Sequence, residues 1–184
     1  MRHLSTQELE AGLSAIRLSP ADAGIVELIV RRPSPGEREL LDEGALDRIV
    51  GLVGDTWKDR SSSRTADGGP HPDMQINVMN SRAIALIAQE RERWHLAGDQ
   101  LFVDLDLSEA NLPPGTRLAL GTAVIEVTDQ PHTGCDKFVA RFGMDAMRFV
   151  NSPIGRQMQL RGINAKVVQS GVVRRGDIVR KHPS

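Results

Sequence analysis

The sequence predicts a mainly β, α+β fold, a barrel or sandwich of short strands with a few short helices packed outside. Three observations carry this expectation. Short β-branched or alternating stretches recur along the chain, tight-turn signals separate them, and few segments keep an apolar spacing of three to four residues. With 184 residues and no internal repeat or boundary, the chain reads as one domain, 1–184.

Ser5-Thr6-Gln7-Glu8 has capping-box spacing, and Leu9, Leu13 and Ile16 follow at helical intervals. This predicts a short helix to about Arg17, stopped by Ser19-Pro20, and makes 1–20 an accessory segment. Gly24 to Arg31 is the first strand. Ser34-Pro35-Gly36-Glu37 has the cap, N1 proline and N3 acid of a helix start. Leu46, Ile49, Val50 and Val53 keep helical spacing up to Gly54-Asp55.

Thr56 to Asp73 reads as a long surface loop, rich in Ser, Gly and Pro, and a loop of that length in a compact domain is more often functional or disordered than idle. Gln75 to Asn80 alternates as a half-buried strand whose polar face, Gln75, Asn77 and Asn80, can line a site or simply meet solvent. Ser81 reads as the N-cap of a helix running on to Trp94. Gln100 to Leu107 is the next strand, and 117–120 with 123–128 form a hairpin over Gly121-Thr122. After Cys135, helical spacing at Phe138 and Phe142 leads to a second short helix, Asp145 to Val150, ended by Asn151 and Pro153. Strands then follow at 162–168, 171–173 and 177–180.

Composition narrows the function. Charged residues make up 26%, the net charge is −1, aromatic residues are 3% and Tyr is absent. Scarce aromatics argue against single-stranded nucleic-acid binding by stacking. No run approaches the ~20 apolar residues of a membrane span. The single cysteine permits no internal disulfide and offers no Cys-x-x-Cys zinc pair. A reducing, cytoplasmic setting is therefore expected.

The charge is uneven. From Pro131 to the end, ten basic residues (Lys137, Arg141, Arg148, Arg156, Arg161, Lys166, Arg174, Arg175, Arg180, Lys181) face three acids (Asp136, Asp145, Asp177). That third also carries Cys135, which points to an anionic ligand, although several of these cations are expected in structural ion pairs. Cys135 sits where an alternating segment ending at Asp129 passes through Pro131 and Gly134 into a helix. The first turn of a helix favours a thiolate, Lys137 and His132 add to the effect, and Asp136 opposes it. A reactive or metal-ligating cysteine and a small buried hydrophobe both remain open on these grounds.

An ordered series of short motifs reaches a family. It comprises Gly54-Asp55-Thr56-Trp57, the strand Gln75 to Asn80, Gly98-Asp99-Gln100-Leu101, Asp104 to Ser108, Asn111 to Thr116, Pro131-His132-Thr133-Gly134-Cys135 with Lys137-Phe138, Arg141-Phe142-Gly143, Leu160-Arg161-Gly162 and Gly176-Asp177. Over roughly Gly24 to Arg180 the chain resembles the MOSC domain, named for the C-terminal domain of molybdenum cofactor sulfurases, in its small stand-alone bacterial form. The resemblance implies a largely antiparallel β-barrel and a cysteine that carries sulfur or ligates molybdenum in the pterin cofactor. It also implies reduction of N-hydroxylated bases and similar compounds in some relatives.

Carried to this chain, Cys135 is the expected catalytic residue and metal ligand. His132, Thr133, Gly134, Cys135, Lys137, Arg141 and Arg161 are the expected contacts to the molybdenum cofactor, with Arg141 and Arg161 as the preferred anion contacts and backbone N–H groups at 133–135 as helpers. The cofactor sulfurases also carry a pyridoxal-phosphate cysteine desulfurase, for which this chain has no room. The partners implied are therefore redox proteins or a separate cysteine desulfurase. His132-Thr133-Gly134 replaces the arginine-rich cysteine motif of the mitochondrial reductases.

Three readings follow. One is a molybdenum-dependent reductase, and another is a persulfide carrier or non-catalytic cofactor binder. The third, of another class, is a module using the basic third for an anionic ligand or nucleic acid, which the missing aromatic platform and recognition helix disfavour. A zinc hydrolase built on His71, His132 and Cys135 lacks the helical His spacing such sites use. Trp57 reads as core packing over a shield for a site, and Asp55 and Asp99, each after a glycine, read most simply as turn or cap residues, with a role in the site as the alternative.

Overall fold

In the computed structural model, which describes residues 2–183, the apolar run 24–31 forms strand β1 (Gly24–Arg31). Its near-continuous hydrophobicity has a cause. A register shift between Val26 and Leu28 lets Val26 and Ile29 face one core while Leu28 and Val30 face another, so both faces of the strand are buried.

The remaining strands are β2 (Glu39–Leu41), β3 (Glu43–Asp47), β4 (Gly51–Leu52), β5 (Ile76–Asn80), β6 (Leu101–Asp104), β7 (Arg117–Leu120), β8 (Ala123–Val127), β9 (Ile163–Gln169), β10 (Gly171–Arg174) and β11 (Ile178–His182). Seven of them close a barrel in the order β11-β7-β8-β9-β5-β6-β1, because the start of β1 pairs with β11. The end of β1 pairs instead with β2, and β10-β3-β4 form a small separate sheet. All these pairings are antiparallel except β5 with β6. That parallel step needs a crossover, supplied by helix α3 below and the 3₁₀ turn Arg91–Ala97.

The helices are α1 (Thr6–Ala11), α2 (Leu13–Ile16), α3 (Ser81–Ala88), α4 (Asp136–Phe142), α5 (Met144–Asn151) and α6 (Pro153–Gln157). They pack on one side of the barrel. Ile76, Val78, Leu101, Val103, Ile125 and Ala165 fill the interior, whereas Met79 and Phe102 point outward onto Ile84, Ile87, Phe138, Phe142 and Phe149. Strand alternation thus serves two cores at once. Leu9 and Ile16 are buried in the outer one, so the N-terminal segment is part of the packed structure. It is two short helices rather than one, parted at Gly12, where a Cβ would meet the Leu86 side chain at 2.4 Å.

Several expectations are corrected. Residues 34–53 hold no helix: Gly36 adopts φ +90°, and β2, β3 and β4 follow. The helical spacing of Leu46, Ile49, Val50 and Val53 does not mark one face, since Leu46 is buried while Ile49 and Val53 are exposed. The operative period is two, with Gly44 and Leu46 inward, and Asp47 then caps a turn by accepting from the N–H groups of Ile49 and Val50. Asn80, not Ser81, caps α3 by accepting from Ala83 N–H. That helix ends at Ala88, before Gln89 at φ 64°. Pro153 does not only end a helix; it opens α6, with Ser152 as cap. The 56–73 stretch contains 3₁₀ turns at Thr56–Asp59 and Pro72–Met74, and Trp57 is buried as expected of a packing residue.

The end of β1 is fastened by a buried ion pair. Arg32 donates from Nε and Nη2 to the two Asp55 carboxylate oxygens at 2.7 Å each, with 2% and 0% of the side chains exposed. Arg32 Nη1 also donates to Asn77 Oδ1 and Gly98 O. Removing one partner strands a charge away from water. Asp55→Ala is therefore expected to lower stability by about 3–5 kcal/mol, whereas Asp42→Ala, which frees the exposed Arg175, leaves the urea midpoint nearly unchanged. Urea unfolding of both variants checks the contrast.

Candidate functional site

The segment between β8 and α4 owes its position to amides. Asn77 Nδ2 donates to Asn164 Oδ1 at 2.6 Å, and Asn164 Nδ2 donates to Gln130 O. These bonds pin the extended chain to the barrel at β5 and β9. Further along, Gly134 N–H donates to Asn151 Oδ1 at 3.0 Å and Asn151 Nδ2 approaches Gly134 O, which clamps the chain to α5. Cys135 comes next as the N-cap residue of α4, in extended conformation, with its side chain making no cap bond. Burial of Phe138 and Phe142 one helical turn apart turns α4 onto the outer core. Cys135 is a free, exposed thiol, not a buried hydrophobe.

The thiol lines a cavity of about 1020 Å³. His132, Lys137, Arg141 and Arg161 share its wall, so the structure brings together five of the seven residues the sequence singled out. Thr133 lines a smaller neighbouring cavity of about 370 Å³, and the N–H of Gly134 is taken by Asn151. His132 and Arg161 line both cavities and form the partition between them.

Two kinds of cation meet in the larger cavity. Arg32 and Arg161 are buried and paired. Arg161 Nη1 donates to Asp99 Oδ2 at 2.7 Å, its Nη2 donates to Ala97 O, and its guanidinium lies over the Phe138 ring. Arg38, Arg60, Lys137 and Arg141 have no carboxylate within ion-pair distance; the guanidinium bonds of the three arginines go to Glu37 O, Thr56 Oγ1 and Leu96 O. Among the described residues, Asp59 is the one acid on the wall. Four uncompensated cations facing one carboxylate make a site for anions.

Behind the wall, His132 Nδ1 lies 3.5 Å from Asp99 Oδ1, and neither atom has a hydrogen-bond partner. The separation is longer than a formed N–H···O bond. Burial, then the positive charge of Arg161 and Arg32, holds the His132 pKa well below the usual imidazole value. Burial raises the Asp99 carboxyl, against the pull of Arg161. The close approach depends on Gly162 at φ +108°, where a Cβ would sit 2.4 Å from Val78 O and 3.2 Å from His132 Nδ1.

Sequence reasoning did not find Arg32, Arg38, Arg60 or Asn151 as site-building residues. The charge count drew attention to the C-terminal third, yet three of the six cations on the wall come from the acidic remainder. Among the C-terminal cations, Arg148, Lys166, Arg174 and Arg175 pair with carboxylates, as expected of part of that set. His71 caps the turn at Pro72–Met74 by accepting from Asp73 N–H. Among the described residues no three His, Cys, Asp or Glu side chains gather as a metal cluster.

A neutral His132 in the folded state and a protonatable one in the unfolded state give a signed pH effect. The unfolded chain binds the extra proton as pH falls through the ordinary imidazole range, so the folded state loses stability on acidification. Between about pH 7 and pH 5 the urea midpoint of the wild type is expected to fall further than that of His132→Gln. Parallel unfolding curves at the two pH values check this.

Comparison with known proteins places the fold. The structure of the YuaD protein from Bacillus subtilis matches with a TM-score of 0.65 at 16% identity, covering 88% of this chain and 97% of that one. YiiM from Escherichia coli matches with a TM-score of 0.53 at 22% identity, covering 87% of this chain and 70% of that one. No curated protein sequence matches. The family model for the MOSC domain matches residues 65–180, well over half of the chain, and together with the closed barrel it establishes that this protein belongs to the MOSC domain family.

Proposed function

We propose that this protein binds the molybdenum cofactor in the larger cavity, with the Cys135 thiolate as metal ligand, and that it reduces N-hydroxylated compounds with electrons from a separate donor protein. The observation that carries this reading is the exposed thiol of Cys135 opening onto about 1020 Å³ of space, four of whose six cations lack carboxylate partners. The residues fit the group. A thiolate is a soft ligand suited to such a metal. Arg38 Nε and Arg161 Nε are buried without partners, unsatisfied donors on two residues of this wall.

In this reading Lys137 and Arg141 bind the pterin phosphate, which charge-assisted hydrogen bonds favour. Arg161 is held in place by Asp99, and its Nε has no hydrogen-bond partner in the protein. The cofactor, when bound, supplies two-electron redox chemistry that no side chain of the cavity possesses. Conversion of N–OH to N–H and water also takes two protons. His132 lines the cavity and is kept neutral by burial, so it offers a neutral imidazole to a ligand there and not a proton store.

The accessibility of Cys135 also favours a second reading, in which the same sulfur carries a persulfide received from a cysteine desulfurase and the domain serves cofactor metabolism without turnover. Elemental analysis separates the two. Protein from a host that makes the cofactor is expected to hold near-stoichiometric molybdenum, and Cys135→Ser to hold at least about tenfold less while unfolding at the same urea concentration. Equal molybdenum in both proteins removes Cys135 from the metal. Sulfane sulfur without molybdenum in the wild type selects the carrier.

A further inference from the structure

The cations without carboxylate partners are more than one phosphate monoester needs. Such a group carries about −1.5 to −2 near neutral pH, whereas Arg38, Arg60, Lys137 and Arg141 face only Asp59. They also come from different parts of the chain. Lys137 and Arg141 lie on α4 beside Cys135, while Arg38 and Arg60 belong to the segments 32–38 and 56–61, before the matched span 65–180. Over Gly98, where a Cβ would lie 3.6 Å from Arg38 Nη2 and 3.8 Å from Arg141 Nη1, two guanidinium groups approach, and the acids that act on Arg38, Asp55 and Asp99, are each paired with another arginine. Arg38 Nε is buried and has no partner. Burial, and then the charges of Arg141 and Arg32, push the Arg38 pKa down, although a guanidinium stays protonated at working pH. Arg60 lines the same wall, and after burial and Arg32 the charge of Arg38 also lowers its pKa, against the pull of Asp55. Like charges gathered on one wall are relieved by oxyanions.

We infer that Arg38 and Arg60 form a second oxyanion subsite in the cavity, which takes a phosphate group of the substrate, so that the substrates of this protein are phosphorylated compounds. The inference rests on the cavity being the cofactor site. A substrate or product that is itself a cation, such as an amidine, meets a wall of like charge and is disfavoured. A phosphate ester of the same size gains two guanidinium contacts.

Two measurements test this on the full chain. Calorimetric titration with phenyl phosphate and with benzamidine compares an anion and a cation of similar size. The wild type is expected to bind phenyl phosphate at least tenfold more tightly, and the Arg38→Gln/Arg60→Gln double variant to lose that preference. Arg38→Lys/Arg60→Lys, which keeps the charges, is expected to restore much of it. Molybdenum content of the same proteins identifies the phosphate. Unchanged molybdenum in the glutamine variant supports a substrate subsite. A loss as deep as in Cys135→Ser overturns it, because the arginines then hold the cofactor's own phosphate. Equal binding of the two probes by the wild type, or an undiminished preference in the glutamine variant, also overturns it. A wild type without molybdenum that still shows the arginine-dependent preference supports the oxyanion subsite and sinks the cofactor reading alone.

Discussion

The buried pair of Arg32 and Asp55 is the constraint on which the cavity depends. Arg32 follows the last residue of β1, and its guanidinium and N–H bond to Asp55, while its Nη1 reaches Asn77 on β5 and the carbonyl of Gly98. Asp55 in turn accepts from Trp57 N–H and starts the 3₁₀ turn that leads to Arg60. One ion pair thus fixes four separate parts of the chain around a common point. Its worth lies less in Coulomb energy than in the cost of breaking it, since among the described residues neither charge has another opposite charge within ion-pair distance.

A second buried pair, Arg161 with Asp99, repeats the device on the other side of Gly98. It draws Arg161, just before β9, onto the loop that ends the 3₁₀ turn at Arg91–Ala97. The unpaired atoms His132 Nδ1 and Asp99 Oδ1 sit at the junction. The cavity therefore has an internally paired floor and a rim of cations without carboxylate partners. The floor positions the rim, and the rim is what an anionic ligand meets. The described residues contain no helix long and apolar enough to cross a membrane, and the helices present are short ones whose buried faces cover the barrel.

The strands were largely legible because their signals are local. The β1 run, the hairpin over Gly121-Thr122 and the alternation of 76–80 all stand near the expected bounds. The region 34–53 was not, because Leu46, Ile49 and Val53 happen to repeat at three- and four-residue intervals while only Leu46 finds an interior. Ser81 looked like a cap for the same kind of reason. The cap fell to Asn80, which also spans to Ser19 and Leu105, a tertiary demand no local pattern carries.

What the sequence by itself determined is the mainly β architecture, the ordered motifs of the MOSC family and the solitary cysteine at the mouth of a helix, because each is written in contiguous residues. Tertiary structure decided the cavity. Arg32, Arg38 and Arg60 lie between 75 and 103 residues before Cys135 in the chain, within a stretch of net negative charge. Only closure of the barrel brings them to the same wall. It also decided which cations are spent, since Arg161 reads like Arg141 along the sequence but folds against Asp99. A charge's availability depends on what stands beside it in space, and linear order does not encode that.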